Sequence, residues 1–177
     1  AAFKKLIILV CALSLHAATA WGQEAETFSA DAGWKMIETR YLTIYCQPGV
    51  DLETIDRSLR KKVFFFGATG GSGEGREEDI ASRVDELFNQ VKKTLDMYPR
   101  IEGLRLMIFK SHEQLNDEYY KIFKTYENVT SFYVHKYVTI YTSEDDISDA
   151  VIAHEMGHAV VDHYFLVIPP DKIAEML

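Results

Sequence analysis

The sequence predicts an α+β domain, built as a mixed sheet with helices mainly on one face. Three observations carry that prediction. Runs rich in β-branched and aromatic residues at 41–46, 104–109 and 131–142 read as strands. Segments with apolar residues at helical spacing lie between and after them. The resulting order is strand, helix, helix, strand, helix, strand, helix, a mixed order with a helical end.

The elements follow in turn. Tyr41 to Cys46 is a strand closed by the turn residues Gln47, Pro48 and Gly49. Asp51 caps a helix whose Leu52, Ile55, Leu59 and Val63 share a face. The glycine-rich stretch at 67–75 lacks the lysine a phosphate-cradling loop requires, and acidic residues follow it, so it reads as a surface connection. Residues 79–98 give the clearest helix, with Ile80, Val84, Leu87, Phe88, Val91 and Leu95 in one stripe and charges opposite. Leu104 to Phe109 is a strand. Ser111 and Gln114 form a capping box that opens a helix through Tyr126, whose aromatics Tyr119, Tyr120, Phe123 and Tyr126 are expected in the core. Residues 131–142 are either one strand or a hairpin turning at His135 and Lys136, and His135 reads as a strand surface residue.

Of 177 residues, 47% are hydrophobic and 26% charged, an ordinary composition for one domain with a sizeable core. The first twenty residues stand apart. Lys4 and Lys5 precede an apolar run at 6–13, and Ala18-Thr19-Ala20 closes it. A charged start, an apolar centre and an A-x-A site read as a secretory signal peptide. The apolar run is short of the roughly 20 residues a spanning helix needs. Residues 1–20 are therefore expected to be a signal peptide, 21–37 a flexible lead-in and 38–177 the folded domain. The protein is expected outside the cytoplasm, in the periplasm or beyond the cell. Loss of Lys4 and Lys5 takes the net charge from −8 to −10. That balance opposes nucleic-acid binding, which depends on Lys and Arg neutralising phosphates. Cys46 would then be the one cysteine left, and its apolar surroundings mark it as a buried small hydrophobe.

His154-Glu155-Met156-Gly157-His158 carries the chemistry. On a helix, residues four apart stack on one face, so both imidazoles can ligate one metal. Zinc accepts histidine nitrogen, and a catalytic zinc keeps three protein ligands and a water. Glu155 projects to the side, where it can take the proton of a water whose pKa the metal lowers to about 7. It can then pass that proton to a leaving amine. The motif sits in an apolar helical pattern of Ile147, Val151, Ile152, Ala153, Ala159 and Val160. The bland alternative is an amphipathic helix with two surface histidines. Ser148, Asp149, Asp162 and His163 make this segment too polar to span a bilayer, so no membrane span is expected in the mature chain.

Three residues compete for the third ligand position. His163 points about 140° from His158 on a helix and reads as a capping or surface residue. Asp162 either orients a ligand imidazole or is solvated. Glu175 is preferred. Pro169 and Pro170 end the motif helix, Asp171 caps another, and Glu175 lies among Ile173, Ala174, Met176 and Leu177, where a carboxylate calls for a partner.

The motif and the downstream glutamate together resemble the gluzincin branch of the zincin metallopeptidases, the peptidase MA-like group. The resemblance covers the second half of the chain and rests on the HExxH motif. It implies a zincin-like fold and hydrolysis of peptide bonds by a zinc-activated water. His154, His158 and Glu175 would be ligands of one catalytic zinc ion, with Glu155 the general base. It further implies that Val138 to Tyr141 form the sheet edge that holds an extended peptide or protein substrate. That group carries further helices beyond the third ligand, so the domain is expected to be truncated at Leu177. The alternative function is an envelope binding protein of the same fold that keeps the metal without turnover.

Overall fold

A computed structural model of the chain describes residues 33–60 and 75–165. The proposed signal peptide, the loop at 67–74 and Glu175 lie outside the described residues. In chain order the described elements are β1 (Lys35–Glu38), β2 (Thr43–Cys46), α1 (Leu52–Arg60), α2 (Arg76–Leu95), β3 (Arg105–Phe109), α3 (His112–Phe123), β4 (Ser131–Val134), β5 (Thr139–Ser143) and α4 (Asp149–Phe165). A 3₁₀ turn, His135–Tyr137, joins β4 to β5.

The five strands form one mixed sheet in the order β1-β2-β3-β5-β4. The inner pairs β2–β3 and β3–β5 are parallel, and both edges, β1 and β4, run antiparallel to their neighbours. Residues 35–38 are therefore part of the sheet, and the flexible lead-in expected for 21–37 does not extend that far. The sequence missed β1 because only Ile37 of its four side chains is buried. An edge strand with one inward residue gives no alternation to read.

Strand alternation sorts the side chains. Ile44, Leu106, Ile108 and Ile140 face one way and pack with Ile55, Leu59, Ile80, Val84, Phe88, Ile152 and Met156. That face thus carries α1, α2 and α4. The fourth described helix, α3, covers the opposite face. There Tyr119 meets Phe132 edge-on at 5.1 Å, and Phe132 stacks on Tyr141 at 4.7 Å. The fold is α+β with three of the four described helices on one side of the sheet.

Local chemistry explains the helix ends. The Asp51 carboxylate accepts from the Glu53 and Thr54 amides at the start of α1. Ser111 Oγ accepts from the Gln114 amide at the start of α3. Asp96 stops α2 in the left-handed region, its amide turning back to Lys92 and Lys93. Lys124 stops α3 in the same way, before the expected Tyr126. Tyr126 is consequently 80% exposed and stacks on half-covered Tyr120 at 4.1 Å. Of the four aromatics expected in the core, Tyr120, Phe123 and Tyr126 are exposed, although Phe123 still touches Phe132 at 5.9 Å. Cys46 is buried, and loss of solvent pushes its thiol up to about 12, as expected of an inert small hydrophobe.

The 131–142 segment is a hairpin, and its turn needs no glycine or asparagine. Val138 takes φ +48 instead, and its amide bonds to the His135 carbonyl at 3.0 Å. A β-branched residue there costs about 1–2 kcal/mol. The turn is held by the Val138 carbonyl, which accepts from the Arg105 amide at 3.0 Å. This hairpin corrects the expected substrate strand. Residues 139–141 belong to β5, which lies between β3 and β4. The sheet edge is β4, Ser131–Val134.

Candidate metal centre

The centre lies on α4. Ser148 opens that helix, its Oγ accepting from the Val151 amide at 3.3 Å. Each residue turns about 100°. Ile152, Met156, Ala159 and Val160 therefore fall on the side away from His154 and His158, and all four are buried against the sheet and helices. Burial of that stripe fixes the helix rotation and leaves both histidines partly open to solvent.

The two imidazoles converge. Their Nε2 atoms lie 2.9 Å apart with the ring planes at 89°. Two nitrogens bound to one tetrahedral zinc at 2.0–2.1 Å each are separated by about 3.3 Å. A shift of roughly 0.4 Å therefore takes the pair from sharing a proton to holding an ion by this geometry. The donor set and spacing fit two of the ligands of a zinc site. Among the described residues no cluster of three or more His, Cys, Asp or Glu side chains forms a metal cage. Glu175, expected as the third ligand, lies outside the described residues.

Glu155 is turned about 100° around the helix from His154 and about 60° from His158. It is buried against β4, where Ser131 Oγ donates to its Oε1 at 2.6 Å. Two residues along the strand, Tyr133 donates its hydroxyl to Asp162 Oδ2 at 3.1 Å. Burial, and then the Asp162 charge, push the Tyr133 hydroxyl well above the usual phenol range, so it remains a donor. Ser131 and Tyr133 face α4 because Phe132 and Val134 face the other way. Their alternation with two apolar neighbours is the sequence signal for this contact.

Asp162 differs from both roles expected of it. It is buried rather than solvated, and its Oδ2 meets Tyr133 and His135 Nδ1 rather than a motif imidazole. Its Oδ1 is buried with no hydrogen-bond partner among the described residues. His135, expected on the strand surface, is half exposed in the 3₁₀ turn but tied inward through this carboxylate. His163, expected as a capping or surface residue, is partly buried, its ring bonding the Ala159 carbonyl at 2.9 Å and lying 3.7 Å from Asp162 Oδ2.

Beside His154 a cleft of about 400 Å³ opens between α2 and the first half of α4. Leu87, Val91, Leu95, Ala150 and Ala153 supply most of its wall, with Gln90 and Thr94 as polar members, and Gly157 completes it. A larger groove, lined by Glu38, Arg40, Glu78, Asp85 and Lys93 among others, lies on α2 at the β1–β2 turn and holds none of the motif residues. Among the described residues no helix is long and apolar enough to cross a membrane.

Comparison with protein-family models, with curated proteins and with solved structures returns no match.

Proposed function

We propose that this protein is an exported zinc-dependent metallopeptidase of the gluzincin kind. The observation that carries the reading is the convergence of His154 and His158 Nε2 at 2.9 Å on a helix whose Glu155 is pinned to the sheet edge. His154 and His158 would hold the ion, with Glu175 as the third ligand. Zinc bound there supplies Lewis acidity toward a peptide carbonyl and makes water acidic enough to deprotonate near neutral pH.

The remaining work falls to the chain. Glu155 takes the proton of the attacking water and delivers it to the leaving amine. Ser131 holds the carboxylate in one orientation, so little ordering is left to the moment of reaction. The edge strand β4, whose outer side pairs with no strand among the described residues, offers its backbone to an extended peptide, which adds to the sheet as a further strand. Edge strand, base and imidazoles are then adjacent, since Ser131 of β4 touches Glu155 between the two histidines in sequence.

Zinc analysis of the metal-loaded full chain tests the ligand assignment. About one zinc per chain is expected, falling below a tenth of that when His154→Ala and His158→Ala are combined. Zinc retention by the double variant would overturn it. Zinc binding by the wild type without cleavage of any member of a diverse peptide library would favour the non-catalytic binding protein.

A further inference from the structure

We infer that His112 is a positioning residue for Glu155: its imidazolium fastens the segment entering β4 to the segment entering α4, and loss of its proton loosens Ser131 from the motif helix. This rests on the peptidase reading and names how its site is regulated. His112 Nδ1 lies 2.7 Å from Asp146 Oδ2, three residues ahead of α4. Its Nε2 lies 2.6 Å from Asn128 Oδ1, three residues ahead of β4. One ring thus touches the approaches to both elements that Ser131 and Glu155 join. The His112 amide adds a further tie, donating to Asp145 Oδ2 at 3.0 Å. The approach to β4 depends on such ties. Residues 124–130 form neither helix nor strand, and Asn128 and Thr130 are exposed, so burial does not hold them. Side chains take them in turn. Asn128 meets His112, the Val129 amide donates to Asn116 Oδ1 at 2.9 Å, and the Thr130 carbonyl accepts from Thr142 Oγ1 at 3.1 Å. Ser131 then donates to Glu155. Of the three side chains that hold residues 128–130, His112 alone exchanges a proton near neutral pH.

A neutral imidazole has one N–H for these two oxygens. The Asp146 carboxylate keeps it, because a charged acceptor makes the stronger bond. Ser143 Oγ, donating at 2.6 Å, holds that carboxylate in place. Nε2 and Asn128 Oδ1 are then two acceptors face to face, and the oxygen is driven from that position. The charged groups facing the ring are Asp145 and Asp146, both from the turn before α4, and among the described residues the connector meets it through the uncharged Asn128 amide. The bonds to Asn128 and then to Asp146 hold the His112 proton above the ordinary 6.5. With 33% of its side chain open to solvent, the ring exchanges that proton directly with water. The two approaches are therefore clamped below pH 6.5 and released as pH rises through the raised value.

The test compares kcat of zinc-loaded wild type, His112→Gln and Asn128→Ala between about pH 6 and about pH 8.5. Wild type should exceed either variant by roughly fivefold at the acid end and by less than about twofold at the alkaline end, with KM nearly constant. A ratio that does not change with pH marks a general packing loss and overturns the inference. A second measurement needs no turnover. Over the same range the Val129 and Ser131 amide resonances of the full chain should follow the His112 ring with one shared midpoint. In Asn128→Ala they should stop following it while the ring still titrates. Amides that ignore the ring, as when Asn128 only turns its NH2 group toward Nε2, overturn the inference and leave the peptidase reading intact. Amides that follow the ring in a chain that cleaves no peptide uphold the coupling and remove the peptidase reading.

Discussion

Ser131 Oγ lies 2.6 Å from Glu155 Oε1, tying the sheet edge to the motif helix across 24 residues of chain. Glu155 is buried, so its orientation depends on such partners. Ser131→Ala should lower kcat by roughly tenfold through loss of positioning, with KM changing less. Ser131→Thr keeps a hydroxyl at the same place and should recover most of the rate. The threonine variant provides the check: recovery of most of the rate marks a positioning role for the hydroxyl, whereas a general packing defect would leave threonine as slow as alanine.

Asp162 separates two roles that the sequence alone left open. Its hydrogen bonds go to Tyr133 and His135, with His163 Nδ1 3.7 Å away, so among the described residues it fastens the β4–β5 hairpin to α4 rather than steering His154 or His158. Asp162→Ala leaves the partly buried Tyr133 hydroxyl without its acceptor, which costs up to about 1–3 kcal/mol. Urea unfolding should register that loss. Zinc affinity should change by less than the roughly 10–100-fold expected when a carboxylate behind a ligand histidine is removed. A drop of that size would restore Asp162 to the metal centre.

His112 gives the fold a pH dependence. Its Nδ1 lies 2.7 Å from Asp146 Oδ2 and its Nε2 2.6 Å from Asn128 Oδ1, so both nitrogens donate only in the imidazolium form. The hydrogen bonds to Asn128 and then to Asp146 raise its pKa above the ordinary 6.5. The folded state therefore holds this proton more tightly than the unfolded chain. That stabilisation is fully present below pH 6.5 and is lost as pH rises through the raised folded value. Unfolding free energies measured at intervals between pH 5.5 and 8.5 should fall with pH in the wild type, and His112→Gln should flatten the slope. Parallel curves would contradict the assignment.

Much of the fold was legible because burial writes period into the sequence. The α2 stripe of Ile80, Val84, Phe88 and Val91 was read from spacing alone and is buried as expected. The Asp51 and Ser111 caps were visible for the same local reason, a short polar side chain ahead of an apolar run. Three features were less legible. β1 buries only Ile37. The hairpin turn is bought with strain at Val138 instead of a turn residue. Tyr126 is exposed because α3 ends at Phe123, while Tyr120 lies about 140° round that helix from buried Leu115, and aromatic content alone reveals neither. The four-residue spacing of His154 and His158 predicts the convergence of their rings that the structure shows. The inward face of Ser131 shows only as its alternation with Phe132 and Val134, and the partners of Ser131 and His135, 24 and 27 residues away, cannot be read from that pattern. The misplaced substrate edge has the same origin: chain order puts β5 next to α4, while the sheet puts β4 outside it.

Glu155 is the proposed general base. Cleavage of a susceptible peptide should be compared between zinc-loaded wild type and zinc-loaded Glu155→Gln, with zinc content measured on the same samples. Glutamine keeps the size and can still accept from Ser131 Oγ, but it cannot take a proton from water at neutral pH. The variant should hold about one zinc per chain and cleave at least 100-fold more slowly, in line with the roughly 10²–10⁴ that a positioned general base contributes. A zinc-loaded Glu155→Gln chain that cleaves within tenfold of wild type would contradict the central claim.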